Sequence, residues 1–218
     1  MHEPSCSRQQ LDDAAVSEPQ IAAVILAAGA SSRMGANKML LTVDGVPMVR
    51  RAAVRATGAG LAPLVVVVGR DEHDVRAALH GVTCTLVSNP DFTGPTSGSL
   101  HIALRALPDD VDATVILLAD MVHVTSAMLR ALADAARLHS APLAISQYGD
   151  VLAPPLLFRR ALWPELLAWH GEGCGKAVVK AHRDEAVVHA WPAEALRDVD
   201  TPEDYQQLVA TPPATVTP

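Results

Sequence analysis

The stretch LAAGASSRMGANK, from Leu26 to Lys38, constrains this chain more than any other. It follows an apolar run, Ile21 to Leu26, that reads as a buried strand, and an amphipathic segment begins a few residues later. A strand that opens into Gly, Ala and Ser, with Arg33, Gly35 and Lys38, suits contact with phosphates. Small residues let backbone N–H groups approach an anion, and Arg and Lys add charge-assisted bonds. The spacing excludes two common phosphate loops. Five residues separate Gly29 from Gly35 and the lysine comes three later, unlike a Walker A loop, and there is no G-x-G-x-x-G. An ordinary strand-to-helix connection is the alternative, and the cations flanking Gly35 weigh against it.

Beyond this loop, apolar runs alternate with helical patterns. Strands are expected at Ala22–Leu26, Leu64–Val68, Val82–Val87, Thr114–Leu118 and Leu143–Ser146. Helices are expected at Met48–Thr57, Glu72–Leu79, Ser99–Leu107, Ser126–His139, Leu162–Trp169, Lys176–His182 and Pro202–Val209. Continuous Val/Ile/Leu strands predict a mostly parallel sheet covered on both faces, a doubly wound α/β fold. The 218 residues fit one domain, residues 20–209, between a polar extension (1–19) and a Pro/Thr tail (210–218), both read as disordered.

A formal charge of -7 argues against a nucleic-acid surface, so any polyphosphate site must gather its cations locally. Lysine is scarce, confined to Lys38, Lys176 and Lys180. The apolar runs are too short and interrupted to span a bilayer, and MHEPSCSRQQ is polar where a signal peptide is apolar, which predicts a cytoplasmic protein. Cysteines at 6, 84 and 174 have neither disulfide nor zinc-site spacing, and Cys174 between two glycines is expected to be exposed.

Three further segments carry chemistry. The apolar run of VILLADMVHVT ends at Asp120, which places a carboxylate at the carboxyl edge of the sheet, where it can hold Mg2+; a cap or turn is the alternative. In NPDFTGPTSGSL, Asn89 ends a strand, and Ser97 and Gly98 lead into a helix whose amides could hold an anion or base edge. A serine cap explains Ser97 or Ser99 equally well. In DVDTPED, Asp200 or Thr201 suits a helix cap with Pro202 in the first turn.

LAAG-x-S-x-R-M-G-x-x-K resembles the signature loop of the molybdenum cofactor nucleotidyltransferases, within the sugar-nucleotidyltransferase-like superfamily, and later motifs extend the likeness over about residues 21 to 209. The resemblance implies a Rossmann-like nucleotidyltransferase fold with catalytic Arg33, Lys38 and Asp120. It implies nucleotide contacts at Leu26, Ala27, Ala28, Gly29, Ser31, Ser32, Gly35, Asn89, Ser97 and Ser99. Asp120 and Asp200 would hold Mg2+, and Pro154, Glu172 and Lys176 would face the acceptor. The chain departs from the family pattern at Ala119 and Val122 around Asp120. It also departs at Ala153-Pro154-Pro155, where Gly-His-Pro is usual, and at Glu172 and Lys176, where Asp and Arg are usual.

The implied reaction transfers CMP from CTP to the terminal phosphate of molybdenum-molybdopterin, with release of pyrophosphate. A molybdenum hydroxylase, or its maturation chaperone, is the implied protein partner. Two alternatives stand: another phosphorylated acceptor such as a sugar or alditol phosphate, and a low-turnover cofactor-binding maturation protein. Cytidine is expected over guanosine because Ala28 stands where the guanylyltransferases carry a second Gly.

Overall fold

The computed structural model describes residues 18–29, 34–173 and 175–210. In chain order the elements are β1 (Ile21–Ala27), a small hairpin of β2 (Thr42–Val43) and β3 (Val46–Pro47), α1 (Met48–Gly58), β4 (Leu64–Val68), α2 (Glu72–Ala78), β5 (Thr85–Ser88) and α3 (Thr96–Ala106). There follow β6 (Ala113–Leu118), α4 (Ser126–Leu138), β7 (Leu143–Tyr148), β8 (Val151–Arg159), α5 (Trp163–Ala168), α6 (Lys176–Ala181), β9 (Val187–Trp191) and α7 (Pro202–Ala210). The main sheet has seven strands in the order β5-β4-β1-β6-β8-β7-β9.

β1 is buried along its whole length, and its alternate side chains feed two cores. Ile21, Ala23, Ile25 and Ala27 pack with α1 and α4, and Ala22, Val24, Leu26 and Ala28 pack with α3 and α5. This two-sided burial is why the strand reads as unbroken apolar sequence rather than as an alternation. β1 pairs parallel with β4 on one side and with β6 on the other. Strand order therefore reverses between β1 and β6, the place where sheets of this kind bind ligands beyond their carboxyl ends.

Three expectations are corrected. The strand expected at Val82–Val87 is Thr85–Ser88, because Val82 still belongs to the turn leaving α2 and pairing with β4 begins only at Thr85. The helix expected from Ser99 begins at Thr96, with Pro95 at its N-cap and no side-chain cap, so Ser97 and Ser99 lie inside it rather than capping it. Two main-sheet strands, β8 and β9, join the five expected.

β8 is antiparallel to both neighbours and carries Pro154 and Pro155, which cannot donate to a ladder. A register shift between Ile145 and Ser146 moves the two prolines out of the pairing. Their carbonyls find donors in Ser146 Oγ (2.8 Å to Pro155) and the Tyr148 hydroxyl (3.0 Å to Pro154). Burial pushes the Tyr148 phenol up to about 12. The expected disordered extension lies outside the described residues except for residues 18–19, as does the tail beyond Ala210 and Cys174. Among the described residues no helix is long and apolar enough to cross a membrane.

Candidate active site

The register of β1 against β6 pairs Leu26 with Leu118, so the chain beyond Leu26 and the turn carrying Asp120 leave the sheet side by side. Ala119 N–H still donates to Leu26 O at 3.3 Å, which holds the two exits together. Gly35 has φ +67, a left-handed conformation that costs a side-chain-bearing residue about 1 to 2 kcal/mol. The buried Asn37 then fixes the next turn of chain. Its Oδ1 accepts from Met39 N–H at 3.0 Å and its Nδ2 donates to Arg70 O at 2.9 Å, capping the single 3-10 turn that presents Lys38.

Lys38 Nζ donates to Asp120 Oδ2, and to Asp200 Oδ1 at 2.9 Å. Lys38 and Asp120 are nearly buried, with side chains 13% and 12% exposed, whereas Asp200 is about half exposed. Burial works against the charged ammonium, yet the two carboxylates together hold Lys38 above its ordinary value.

Two features bring the Asp200 segment here. A backbone bridge pairs Met121 with Asp198. Val122, which stands where the resembled family has proline, packs in a small cluster with Val43, Met48 and Val199. Capping and site roles are divided between neighbours: Thr201 N–H donates to Asp204 Oδ2 at 2.8 Å, and Asp204 N–H to Thr201 Oγ1 at 3.2 Å. This reciprocal box starts α7 with Thr201 and Asp204, while the Asp200 side chain reaches Lys38. Asp198 opens onto the neighbouring cavity. The protein packed around it, and then the Asp120 and Asp200 carboxylates, push its carboxyl up to about 6, with Lys38 offsetting part of the rise.

That cavity, of about 840 Å³, lies beyond β6 and β8. Its apolar floor includes Leu118, Leu152, Leu156 and Val179; Pro154 and Asp198 also line it, and Lys176, Lys180 and Arg183 supply its cations. Glu172 is not among the lining residues. It accepts from Thr96 Oγ1 at 2.7 Å, across the start of α3.

The other expected nucleotide contacts are largely engaged in internal bonds. Asn89 is buried, donates to Ser99 Oγ at 2.9 Å and accepts from Asp91 N–H at 3.0 Å. Ser97 Oγ accepts from Gly171 N–H at 3.0 Å. Leu26, Ala27 and Ala28 are buried in the two cores, while Gly29 is exposed. Ser31, Ser32 and Arg33 lie outside the described residues.

Residues 23–187, three quarters of the chain, match the model of the MobA-like NTP transferase domain. The chain belongs to that family. Among curated relatives, the purine catabolism protein PucB of Bacillus subtilis is 28% identical over 204 residues, covering 87% of this chain and 96% of PucB. The bifunctional protein GlmU of Desulfotalea psychrophila is 31% identical over 137 residues, 61% of this chain and 40% of GlmU, so the chain spans about two fifths of that relative. Among solved structures, Rv0371c of Mycobacterium tuberculosis superposes with a TM-score of 0.80 at 28% identity, over 89% of this chain and all of that one. Rv0371c is also known as a complex with manganese. A nucleotidyl transferase from Methanothermobacter, 23% identical with a TM-score of 0.73 over 88% of this chain and 96% of that one, shares the fold.

In this MobA-like NTP transferase, no group of three or more His, Cys, Asp or Glu among the described residues could hold a metal ion unaided. Asp120 and Asp200 nevertheless meet one cation, the Lys38 ammonium, and so already present oxygens to a common point. Two carboxylates completed by water and substrate phosphates suit a hard divalent ion, so the residues present fit one. Four residues of this region were given no site role from the sequence. Asn37 and Asp198 sat inside motifs dominated by better-known neighbours, Lys180 figured only as one of three lysines, and Arg183 lay just beyond an expected helix.

Proposed function

We propose that this chain transfers CMP from CTP to the terminal phosphate of molybdenum-molybdopterin, forming the cytosine dinucleotide and releasing pyrophosphate. The observation that carries the transfer chemistry is Lys38 seated between Asp120 and Asp200 at the sheet's switch point, beside a large cavity. The motif resemblance supplies cytidine and the pterin. An acceptor phosphate oxygen bonds to the α-phosphorus, the bond to the β-phosphate oxygen breaks, and pyrophosphate departs. An acceptor phosphate is already anionic at neutral pH, so positioning and charge neutralisation do the work. Backbone amides from Ala28 to Ser32 hold the phosphates, and Arg33, assigned by motif position, faces the leaving pyrophosphate. Lys38 moves from its carboxylates to the α-phosphate, and Lys176 and Pro154 line the path of the acceptor. Asp120 and Asp200 are the residues that would hold Mg2+, whose charge would offset that of the phosphates.

A second reading keeps the transfer and changes the acceptor to a sugar or alditol phosphate. Pro154 favours it, because it lies in a bulge on the cavity wall where the resembled family usually has histidine. A screen decides between them: pyrophosphate release followed with each nucleoside triphosphate, Mg2+ and a panel of acceptors. CTP is expected to exceed GTP in kcat/KM by about tenfold or more with the same acceptor, and preference for GTP would refute the assignment. Release with molybdenum-molybdopterin alone supports the first reading, and release with a sugar phosphate alone supports the second. Tight nucleotide binding without turnover would identify a carrier that hands a cofactor to a molybdenum hydroxylase or its chaperone.

A further inference from the structure

The cations of the large cavity are more numerous than one phosphate requires. Lys176 and Lys180 stand four residues apart on α6 and share one face of that helix, and Arg183 follows in the next turn; all three line the same wall. Like charges at this spacing destabilise a helix, so the pair has no structural benefit of its own. Neither lysine has a hydrogen-bonding or ion-pairing partner among the described residues. Arg183 reaches Gln147 through one Nη at 3.3 Å, while its other Nη is buried without a partner. Several other basic residues are engaged: Arg51, Arg137 and Arg160 each meet a carboxylate, and Arg50, Arg55, Arg130 and Arg159 donate to backbone carbonyls. In a chain of formal charge -7, three cations thus gather around one apolar-floored cavity whose lining holds a single carboxylate, Asp198, and none of the three is paired with it.

Lys180 lies one helical turn, about 6 Å, beyond Lys176. We infer that the acceptor carries a second anionic group, at the far end of its body from the attacking phosphate, and that Lys180 and Arg183 seat it. The inference rests on the nucleotidyl-transfer reading, in which Lys176 serves the attacking phosphate. It names the acceptor class: a phosphate ester with an apolar face towards Leu118, Leu152 and Leu156 and a remote phosphate or carboxylate.

The test uses three matched probes, glucose 1-phosphate, glucose 1,6-bisphosphate and glucuronic acid 1-phosphate, titrated calorimetrically into the full chain. Wild type is expected to bind at least one probe with a second anionic group about tenfold more tightly than glucose 1-phosphate, as one or two charge-assisted hydrogen bonds provide. Which of the two gains shows whether the far group is phosphate or carboxylate. In the double variant Lys180→Ala/Arg183→Ala the advantage should vanish, and the exposed single variant Lys180→Glu should reduce it without disturbing the fold. Equal binding of all three probes, no measurable binding of any, or an advantage that survives the double variant would overturn the inference. CTP with Mg2+ is titrated separately. Loss of CTP binding in the double variant would assign the two cations to the triphosphate and overturn the inference. Failure of wild type to bind CTP would instead sink the transfer reading, and the probe preference would still be read on its own.

Discussion

The two sides of β6 solve different problems. On the β1 side, parallel strands leave the sheet in fixed register, so the position of Asp120 beside the Gly loop follows from backbone pairing alone. On the β8 side, an antiparallel strand carries a proline bulge, and the cavity wall is finished by a six-residue helix and turns. In the proposed reaction, regular pairing holds the groups assigned to the transferred phosphorus, and irregular backbone shapes the space assigned to its acceptor. The first side should therefore tolerate few substitutions without loss of rate, while the second should change substrate preference more readily than rate.

The largest effects should separate the sides by kinetic parameter. Asp120→Ala is expected to abolish pyrophosphate release and Mg2+-dependent nucleotide binding in a chain whose circular dichroism is unchanged. Near-normal turnover would remove its metal role. Lys38→Ala should lower kcat by about a hundredfold or more, since in the proposed reaction it takes away the charge that meets the reacting phosphorus. A rise in KM alone would make it a ground-state contact.

Next come two glycines, one on each side. A Cβ on Gly69 would sit 2.4 Å from Phe92 Cβ and 2.9 Å from the Ala28 carbonyl oxygen. A Cβ on Gly175, whose φ is +86, would sit 3.0 Å from Leu166 and 3.1 Å from Phe158. Each Gly→Ala change should cost about 1 to 3 kcal/mol in urea unfolding. Gly69→Ala should also raise the KM for nucleotide and Gly175→Ala that for the acceptor; the opposite assignment would break the division between the two sides. Asn37→Ala, which removes the cap of the Lys38 turn, should cost about 1 kcal/mol and lower kcat without moving the acceptor KM.

The smallest effect is electrostatic. His182 bridges α5 and the turn after α6, with hydrogen bonds to Glu165 at 2.9 Å and Glu185 at 2.9 Å that raise its pKa above the usual 6.5. A raised folded value gives stability that is complete below about pH 6.5 and is lost as pH rises through the folded pKa. The gain is a few tenths of a kcal/mol because the glutamates are exposed. Thermal unfolding of His182→Gln against wild type should show a difference at pH 5.5 that fades by pH 8; a difference that does not vary with pH would refute the ion-pair origin.

The same division explains what the sequence disclosed. Leu64–Val68 is read to the residue because it is a buried apolar run with Pro63 before it and Gly69 after it. Asp120 was legible because a buried strand must end where its first charge appears. β8 was hidden by its two prolines, whose tolerance depends on Ser146 and Tyr148 from another strand. β9 was hidden because this edge strand, half-exposed along its length, lacks an apolar run. Asp200 lay between two readings, and only the Thr201–Asp204 box shows that its side chain is released from capping. Lys180 and Arg183 have no local signature, since a cation beside a cavity and a cation in water look alike in one dimension.

Lys38 meets partners 82 and 162 residues away along the chain. A ribosome exposes Lys38 and Asp120 long before Asp200. The second carboxylate reaches them only after some 80 more residues have been added. During translation the growing chain therefore lacks one of the two carboxylates around Lys38 until its last tenth is made.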